Sequence, residues 1–127
     1  MARHPRPISY QLKIEVCEPV HVTVGSLGSL FLPAGLYVYT GSARKNIQAR
    51  VQRHLTGGKP KRWHVDYLLA VPNVRVAGVK LSTVEECALN QRTRGAVLFP
   101  GLGSSDCRLG CGSHLKYLGA QDRPEME

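Results

Sequence analysis

The stretch Ser9-Tyr10-Gln11-Leu12-Lys13-Ile14-Glu15-Val16 decides the fold class. Its residues alternate strictly: Tyr10, Leu12, Ile14 and Val16 point one way, Ser9, Gln11, Lys13 and Glu15 the other. A period of two is that of a half-buried strand; a helix would scatter these apolar side chains around its axis. Such a strand needs neighbours to pair with and a layer to cover its apolar face, and the following sequence supplies both. Glu18-Pro19 makes a turn. Val20, Val22 and Val24 then alternate with His21 and Thr23 as a second strand, and Gly25-Ser26-Leu27-Gly28 reads as a hairpin turn. After Pro33-Ala34-Gly35, Leu36 to Thr40 forms another short strand, with Tyr37, Tyr39 and Gly41 on one face.

Helical signals come next. Gly41-Ser42 is predicted to open a helix with Ser42 as N-cap. Ala43, Ile47, Val51 and Leu55 recur every four residues as its buried stripe, and Thr56-Gly57-Gly58 closes it. Trp63 to Leu69 fits a short helix or a strand, and periodicity does not separate them. Val74 to Leu81 is strand-like. Ser82-Thr83 followed by Glu85-Glu86 resembles a cap with acids in the first turn, which predicts a second helix from about 83 to 94. Ala96 to Phe99 reads as a further strand, Pro100 to Cys111 as loop, and Leu115 to Leu118 as the last strand. The order β-β-β-α-β-α-β, hairpins first, predicts a compact α/β or α+β domain with a mainly antiparallel sheet flanked by helices.

A chain of 127 residues, 43% of them apolar, has room for one core and no second full-sized domain. Residues 1–7 and 121–127 read as loose ends, leaving about 8 to 120 as the folded part. No apolar run approaches the roughly 20 residues that span a bilayer. The basic N-terminus lacks the apolar stretch of a signal peptide, so a cytoplasmic location is expected, with Cys17, Cys87, Cys107 and Cys111 reduced.

Lys and Arg number 17 against 9 Asp and Glu, a net charge of +8, so an anionic partner is favoured. The charge is also unevenly placed. No acid occurs between Glu18 and Asp66, while that stretch holds Arg44, Lys45, Arg50, Arg53, Lys59, Lys61 and Arg62. One reading is a solvated surface whose acids lie elsewhere in the fold. The other is a phosphate-binding face, with nucleic acid favoured over an acidic membrane because no bulky apolar anchors accompany the bases. Within the first helix, Asn46, Arg50 and His54 fall at i, i+4 and i+8 on one stripe, with Val51 and Leu55 turned towards the core. Arg53 sits beside His54, and a guanidinium and an imidazole projecting together can clamp a phosphodiester and handle a proton; the other reading is an ordinary polar helix face. Near the C-terminus, Cys107, Cys111 and His114 supply three of the four donors that a closed zinc site needs, so reduced packing cysteines are preferred to zinc ligands.

Three segments, Tyr37-Val38-Tyr39-Thr40-Gly41-Ser42-Ala43, Arg50-Val51-Gln52-Arg53-His54 and Trp63-His64-Val65-Asp66-Tyr67, together resemble the GIY-YIG endonuclease superfamily. The likeness is closest to a prokaryotic branch whose domains stand alone or are appended to DNA-repair proteins. Pro100 to Cys107, with Cys111 and Ser113-His114-Leu115, resembles the same branch. The resemblance implies a small antiparallel sheet flanked by helices and hydrolysis of DNA phosphodiesters with one divalent ion, Mg²⁺ or Mn²⁺. It places the first-motif tyrosine at Tyr10, the second-motif tyrosine and glycine at Tyr39 and Gly41, and the helix arginine and histidine at Arg50 and His54. His64 would be a further histidine. The metal carboxylate would be Glu86 or its neighbour Glu85, although another register of the second helix puts Asn90 or Gln91 there. Ser9 stands where the family's first motif has glycine.

Under that reading Tyr10 takes a proton from water, and Arg50, the metal and the basic surface favour its phenolate. Arg50 neutralises a phosphate oxygen, Tyr39 positions the water or the metal shell, and Glu86 holds the ion. Arg44, Lys45, Arg53, Lys59, Lys61, Arg62 and His64 would track the DNA, with RNA not excluded. The alternative is a nucleic-acid-binding module that keeps the basic face without the chemistry.

Overall fold

The computed structural model describes residues 6–43, 45–56, 64–102 and 111–119. The alternating segment forms β1 (Ser9–Val16), an inner strand of a four-stranded antiparallel sheet ordered β5-β1-β4-β6. Here β4 is Gly35–Ser42, β5 is Val74–Ser82 and β6 is Leu115–Gly119. A second, two-stranded sheet pairs β2 (Val20–Thr23) with β3 (Ser29–Leu32). Three helices, α1 (Ile47–Leu55), α2 (His64–Leu69) and α3 (Glu86–Arg92), complete an α+β fold among the described residues. None of these helices is long and apolar enough to cross a membrane.

The register explains the core. Leu12 faces Tyr39 and Ile14 faces Tyr37 across β1 and β4, so the apolar residues of both strands fall on one face. Val22, Val24 and Leu32 from the hairpin and Val65 and Leu68 from α2 cover that face, and all of these side chains are buried. The opposite face receives α3. Gln11 Nε2 donates to Thr93 Oγ1 at 2.7 Å and Thr40 Oγ1 at 3.1 Å. Buried Lys116 donates from Nζ to the carbonyls of Asn90 and Thr93, each at 3.0 Å. These carbonyls lie at the C-terminal end of α3, where a cation is favoured by the helix dipole.

Several boundaries differ from the sequence expectation. Gly41 and Ser42 do not open the first helix; they extend β4, because β1 continues to pair with it as far as Ser9 opposite Ser42. The helix begins after Asn46, which sits in the left-handed region at φ 53°, a conformation that asparagine tolerates better than most residues. Its buried face also differs. Ile47 and Val51 pack against the core, but Leu55 is 50% exposed and His54 is 3% exposed. The helix is therefore rotated so that part of its polar stripe, not its last leucine, turns inward. The second helix is shorter than 83–94. Glu85 is its N-cap, accepting from the Cys87 amide at 3.1 Å, while Ser82 Oγ is used in a local turn by the Val84 amide at 3.0 Å. The segment from Trp63 is helical from His64, and Ala96 to Phe99 contributes one isolated bridge, Ala96 to Tyr117, in place of a strand. Gly25–Leu27 is a single 3-10 turn inside the expected hairpin.

Candidate active site

Tyr10 is the first apolar residue on the buried face of β1, and directly opposite it on β4 is Gly41. A Cβ on Gly41 would lie 2.5 Å from both Cζ and Oη of Tyr10. The glycine is thus what lets the phenol lie across the neighbouring strand. Tyr39, on the same face, brings its ring to 6.3 Å from that of Tyr10, and His54 from α1 stands 5.4 Å from Tyr10 and 6.1 Å from Tyr39, centroid to centroid.

These rings are joined by polar contacts. The Tyr10 hydroxyl lies 2.7 Å from His54 Nε2. Arg50, one turn before His54, acts electrostatically on the Tyr10 phenol and donates from Nη1 to the Ser42 carbonyl at 2.9 Å. The direction of the Tyr10–His54 contact follows the imidazole's tautomer, since the phenol can either donate or accept. His54 Nδ1 then faces Asp66 Oδ1 at 3.8 Å, an ion-pair distance too long for a hydrogen bond. Arg53 grips the same carboxylate, Nη1 donating to Oδ1 at 3.1 Å and Oδ2 at 3.0 Å. A chain of ionisable groups therefore runs from Arg53 and Asp66 through His54 to Tyr10 and Arg50.

Glu86 on α3 acts on the cluster through its charge, which is felt by both Tyr10 and Tyr39; its Oε2 lies 2.8 Å from His114 Nδ1, an ion-pair contact. Burial pushes the Tyr10 phenol up to about 12, with Glu86 and Asp66 adding to the rise and Arg50 opposing it. The Tyr39 phenol is held well above its ordinary value, first by burial and then by the nearby Tyr10, Glu86 and Asp66. Arg50 favours the Tyr10 phenolate as expected, but loss of hydration outweighs that one guanidinium and the net shift is upward.

Tyr10, Tyr39, Arg50 and His54, four of the five expected catalytic residues, thus contribute to one cluster, and Glu86 acts on its phenols through charge. Among the other carboxylate candidates, Glu85 is exposed and caps α3. Asn90 is buried and donates to the Ser113 carbonyl at 2.8 Å; Gln91 is exposed. Of the expected DNA-tracking bases, Lys45 is exposed and Arg53 is engaged by Asp66. His64 is half-buried at the start of α2, while Arg44, Lys59, Lys61 and Arg62 lie outside the described residues. Lys45 and Arg6 line an open groove of about 510 Å³ with Asn46, Gln48 and Leu81, beside the start of α1 and apart from the tyrosine cluster.

Asp66 was not singled out by the sequence reading. Its signal was present: the acid that ends the acid-free stretch is set between Val65 and Leu68 in an otherwise apolar helix, and it is 1% exposed. A carboxylate so placed requires a cationic partner from another element.

Residues 9–127 match the family described as "Domain of unknown function DUF123", and the chain belongs to that family. No curated protein and no solved structure matches the chain.

Proposed function

We propose that this protein is a divalent-metal-dependent DNA endonuclease of the GIY-YIG type. The observation that carries the proposal is the meeting of a phenol from β1 with an imidazole from α1, the Tyr10 hydroxyl 2.7 Å from His54 Nε2, with the charges of Arg50 and of Glu86 on α3 acting on that phenol. The net charge of +8 and exposed Arg6 and Lys45 favour a polyanionic substrate.

The chain's own groups suggest a relay. A water beside Tyr10 gives its proton to Tyr10 Oη as the Tyr10 hydrogen passes to His54 Nε2, and the resulting hydroxide attacks phosphorus while the bond from phosphorus to the leaving deoxyribose oxygen breaks, that oxygen keeping the electron pair and taking a proton from solvent. Each proton moves one place, and the new imidazolium is stabilised by Asp66. The neutral phenol is the form that performs this transfer, so its raised pKa is compatible with the role. Arg50 stabilises charge on a phosphate oxygen. Glu86 fits a hard cation: its side chain is 25% exposed, His114 occupies Oε2, and Oε1 remains for a hydrated ion. An Mg²⁺ or Mn²⁺ held by Glu86 would supply charge neutralisation at the phosphate and at the leaving oxygen.

The test is incubation of branched, nicked and linear DNA with purified protein and Mg²⁺ or Mn²⁺. Cleavage should fall by on the order of 10² to 10³ in Arg50→Ala, the cost of losing a donor to the transition state. Cleavage equal in wild type, Tyr10→Phe and Arg50→Ala refutes the proposal.

One observation favours a second reading, a nucleic-acid-binding module without chemistry. Tyr10 and Tyr39 are only 1% and 6% exposed, so the cluster meets solvent chiefly through Arg50 and Glu86. Salt-dependent DNA binding that is unaffected by Glu86→Gln, with no cleavage by wild type, would establish that reading.

A further inference from the structure

Behind the carboxylate of Glu86 lies a second cluster, of softer chemistry. Cys87 on α3, Cys111 and His114 each offer one donor atom, and these atoms lie within 4.8 Å of one another. Cys87 and His114 are buried and Cys111 is half-buried. Residues 24 apart in sequence, from the first turn of α3 and from the approach to β6, are thus brought to one point.

We propose that Cys87, Cys111 and His114 form a zinc site, distinct from the hard-cation position at Glu86. Three features support it. The first is spacing. Zn–S bonds of about 2.3 Å in a tetrahedron put two sulfurs about 3.8 Å apart, so the three donors need to draw in by only about 1 Å. Cys87 Sγ and His114 Nε2 are already 3.9 Å apart.

The second is the placing of the imidazole. His114 Nδ1 lies 2.8 Å from Glu86 Oε2, within ion-pair reach, and Nε2 is the nitrogen that faces Cys87. A carboxylate behind a histidine is the usual outer partner of a metal-bound imidazole, fixing its orientation and raising its basicity. The third is access. Cys111 is half-buried, so an ion has a route to the site, and a water or another donor can complete the fourth position.

The competing account is that these are packed thiols. Cys111 Sγ lies 3.6 Å from Gln91 Nε2 and 3.9 Å from the Cys87 carbonyl, contacts that a reduced cysteine can also make. They do not explain why a charged carboxylate is spent on orienting His114. Zinc does, and it also ties α3 to β6 at the residue next to Glu86. The proposal stands apart from the nuclease reading, since it needs no phosphodiester chemistry.

The full chain, reduced and freed of metal, is treated with a thiol-alkylating reagent with and without one equivalent of Zn²⁺, and each cysteine is quantified by mass spectrometry. Zinc should protect Cys111 and Cys87 and leave exposed Cys17 reacting at its metal-free rate. Equal alkylation of Cys111 in both conditions overturns the proposal, and this arm needs no variant that folds. Titration with Co²⁺ alone should give a sulfur-to-metal charge-transfer band and strong tetrahedral ligand-field bands at one ion per chain, and release about two protons as the thiols ionise. Cys111→Ser should abolish the charge-transfer intensity from that residue and weaken binding at least tenfold. Glu86→Gln, which keeps all three donors, should weaken Co²⁺ and Zn²⁺ about 10–100-fold. Affinities unchanged in both variants, or a weak octahedral cobalt spectrum in wild type, would also overturn it. All readings are made without DNA, so loss of the zinc site and loss of nuclease activity are separable results.

Discussion

Two tyrosine pairs sit on the same face of the main sheet and have different surroundings. Tyr10 and Tyr39 stand 6.3 Å apart at one end; Tyr37 and Tyr117 stand 4.8 Å apart at the other. Burial raises the phenol pKa in both pairs, at Tyr10 and Tyr39 and again at Tyr37. Each pair also lies against a glycine: a Cβ on Gly41 would strike Tyr10, and one on Gly35 would come within 2.9 Å of Tyr117 Cε1. The difference is where the hydroxyls go. Tyr37 donates to the Pro33 carbonyl at 2.6 Å and Tyr117 to the Ala34 carbonyl at 2.9 Å. A peptide carbonyl satisfies a buried hydroxyl but cannot take its proton. Tyr10 meets an imidazole and a guanidinium instead. A raised pKa therefore reports burial; only the partner distinguishes a structural phenol from one able to pass a proton.

The largest expected contrast is in activity. Tyr10→Phe should reduce DNA cleavage by at least about 10²-fold, the lower end of what a positioned proton-transfer group contributes. Tyr37→Phe, losing a hydrogen bond to a carbonyl, should leave the rate within severalfold and cost about 1 kcal/mol of stability. Steady-state cleavage and denaturant melts on both variants decide it. Equal loss of activity in the two would erase the distinction between the pairs.

Next in size is the response to a methyl group under each ring. Gly41→Ala pushes into the Tyr10 side chain, which can swing aside at a cost of about 1–3 kcal/mol. Gly35→Ala meets the backbone of Gly119 and also adopts φ 142°, so it should be the more destabilising in a thermal melt. Activity should follow the opposite order once stability is matched by lowering the temperature: Gly41→Ala is impaired because the Tyr10–His54 contact is displaced, and Gly35→Ala retains its rate. A Gly41→Ala protein with full cleavage would show that the 2.7 Å contact is not needed.

Much of this contrast was legible in the residues. The alternation through β1 fixed its buried face and put Tyr10 on it; the shared face of Tyr37, Tyr39 and Gly41 followed from period two. The phase of α1 was not legible. An i, i+4 apolar pattern ending in Leu55 outweighed a histidine, because hydrophobicity alone assigns the core side, and His54 is buried for its partners Tyr10 and Asp66. The start of α1 was missed for a related reason: Ser42 has cap chemistry, but the ladder to Ser9 holds it in β4. The charge reading was half informative. Seven bases without an intervening acid suggested an outward face, yet Arg50 and Arg53 turn towards Tyr10 and Asp66, contacts that no local pattern encodes. Long-range pairing also hid the link between Glu86 and His114, and with it the soft-ligand cluster.

The smallest effect is one that both pairs should share. A phenol whose pKa is raised in the folded state retains its proton there after the unfolded chain has begun to lose it. Its contribution is complete below the unfolded value of about 10 and is lost as pH climbs through the folded value. For Tyr10, with a folded value of about 12, the loss at pH 11 is on the order of 1 kcal/mol. Tyr37, also shifted upwards by burial, adds a loss of the same sign. Urea unfolding between pH 8 and 11 should therefore show stability falling towards the alkaline end, and the fall should be shallower in Tyr10→Phe and in Tyr37→Phe alike. Seen beside the cleavage rates, this would separate the two properties: removing either hydroxyl relaxes the alkaline penalty, while removing only one of them affects catalysis. If Tyr10→Phe left the alkaline slope unchanged, the Tyr10 phenol would have to ionise as easily in the fold as outside it, and Arg50 would be the stronger influence after all.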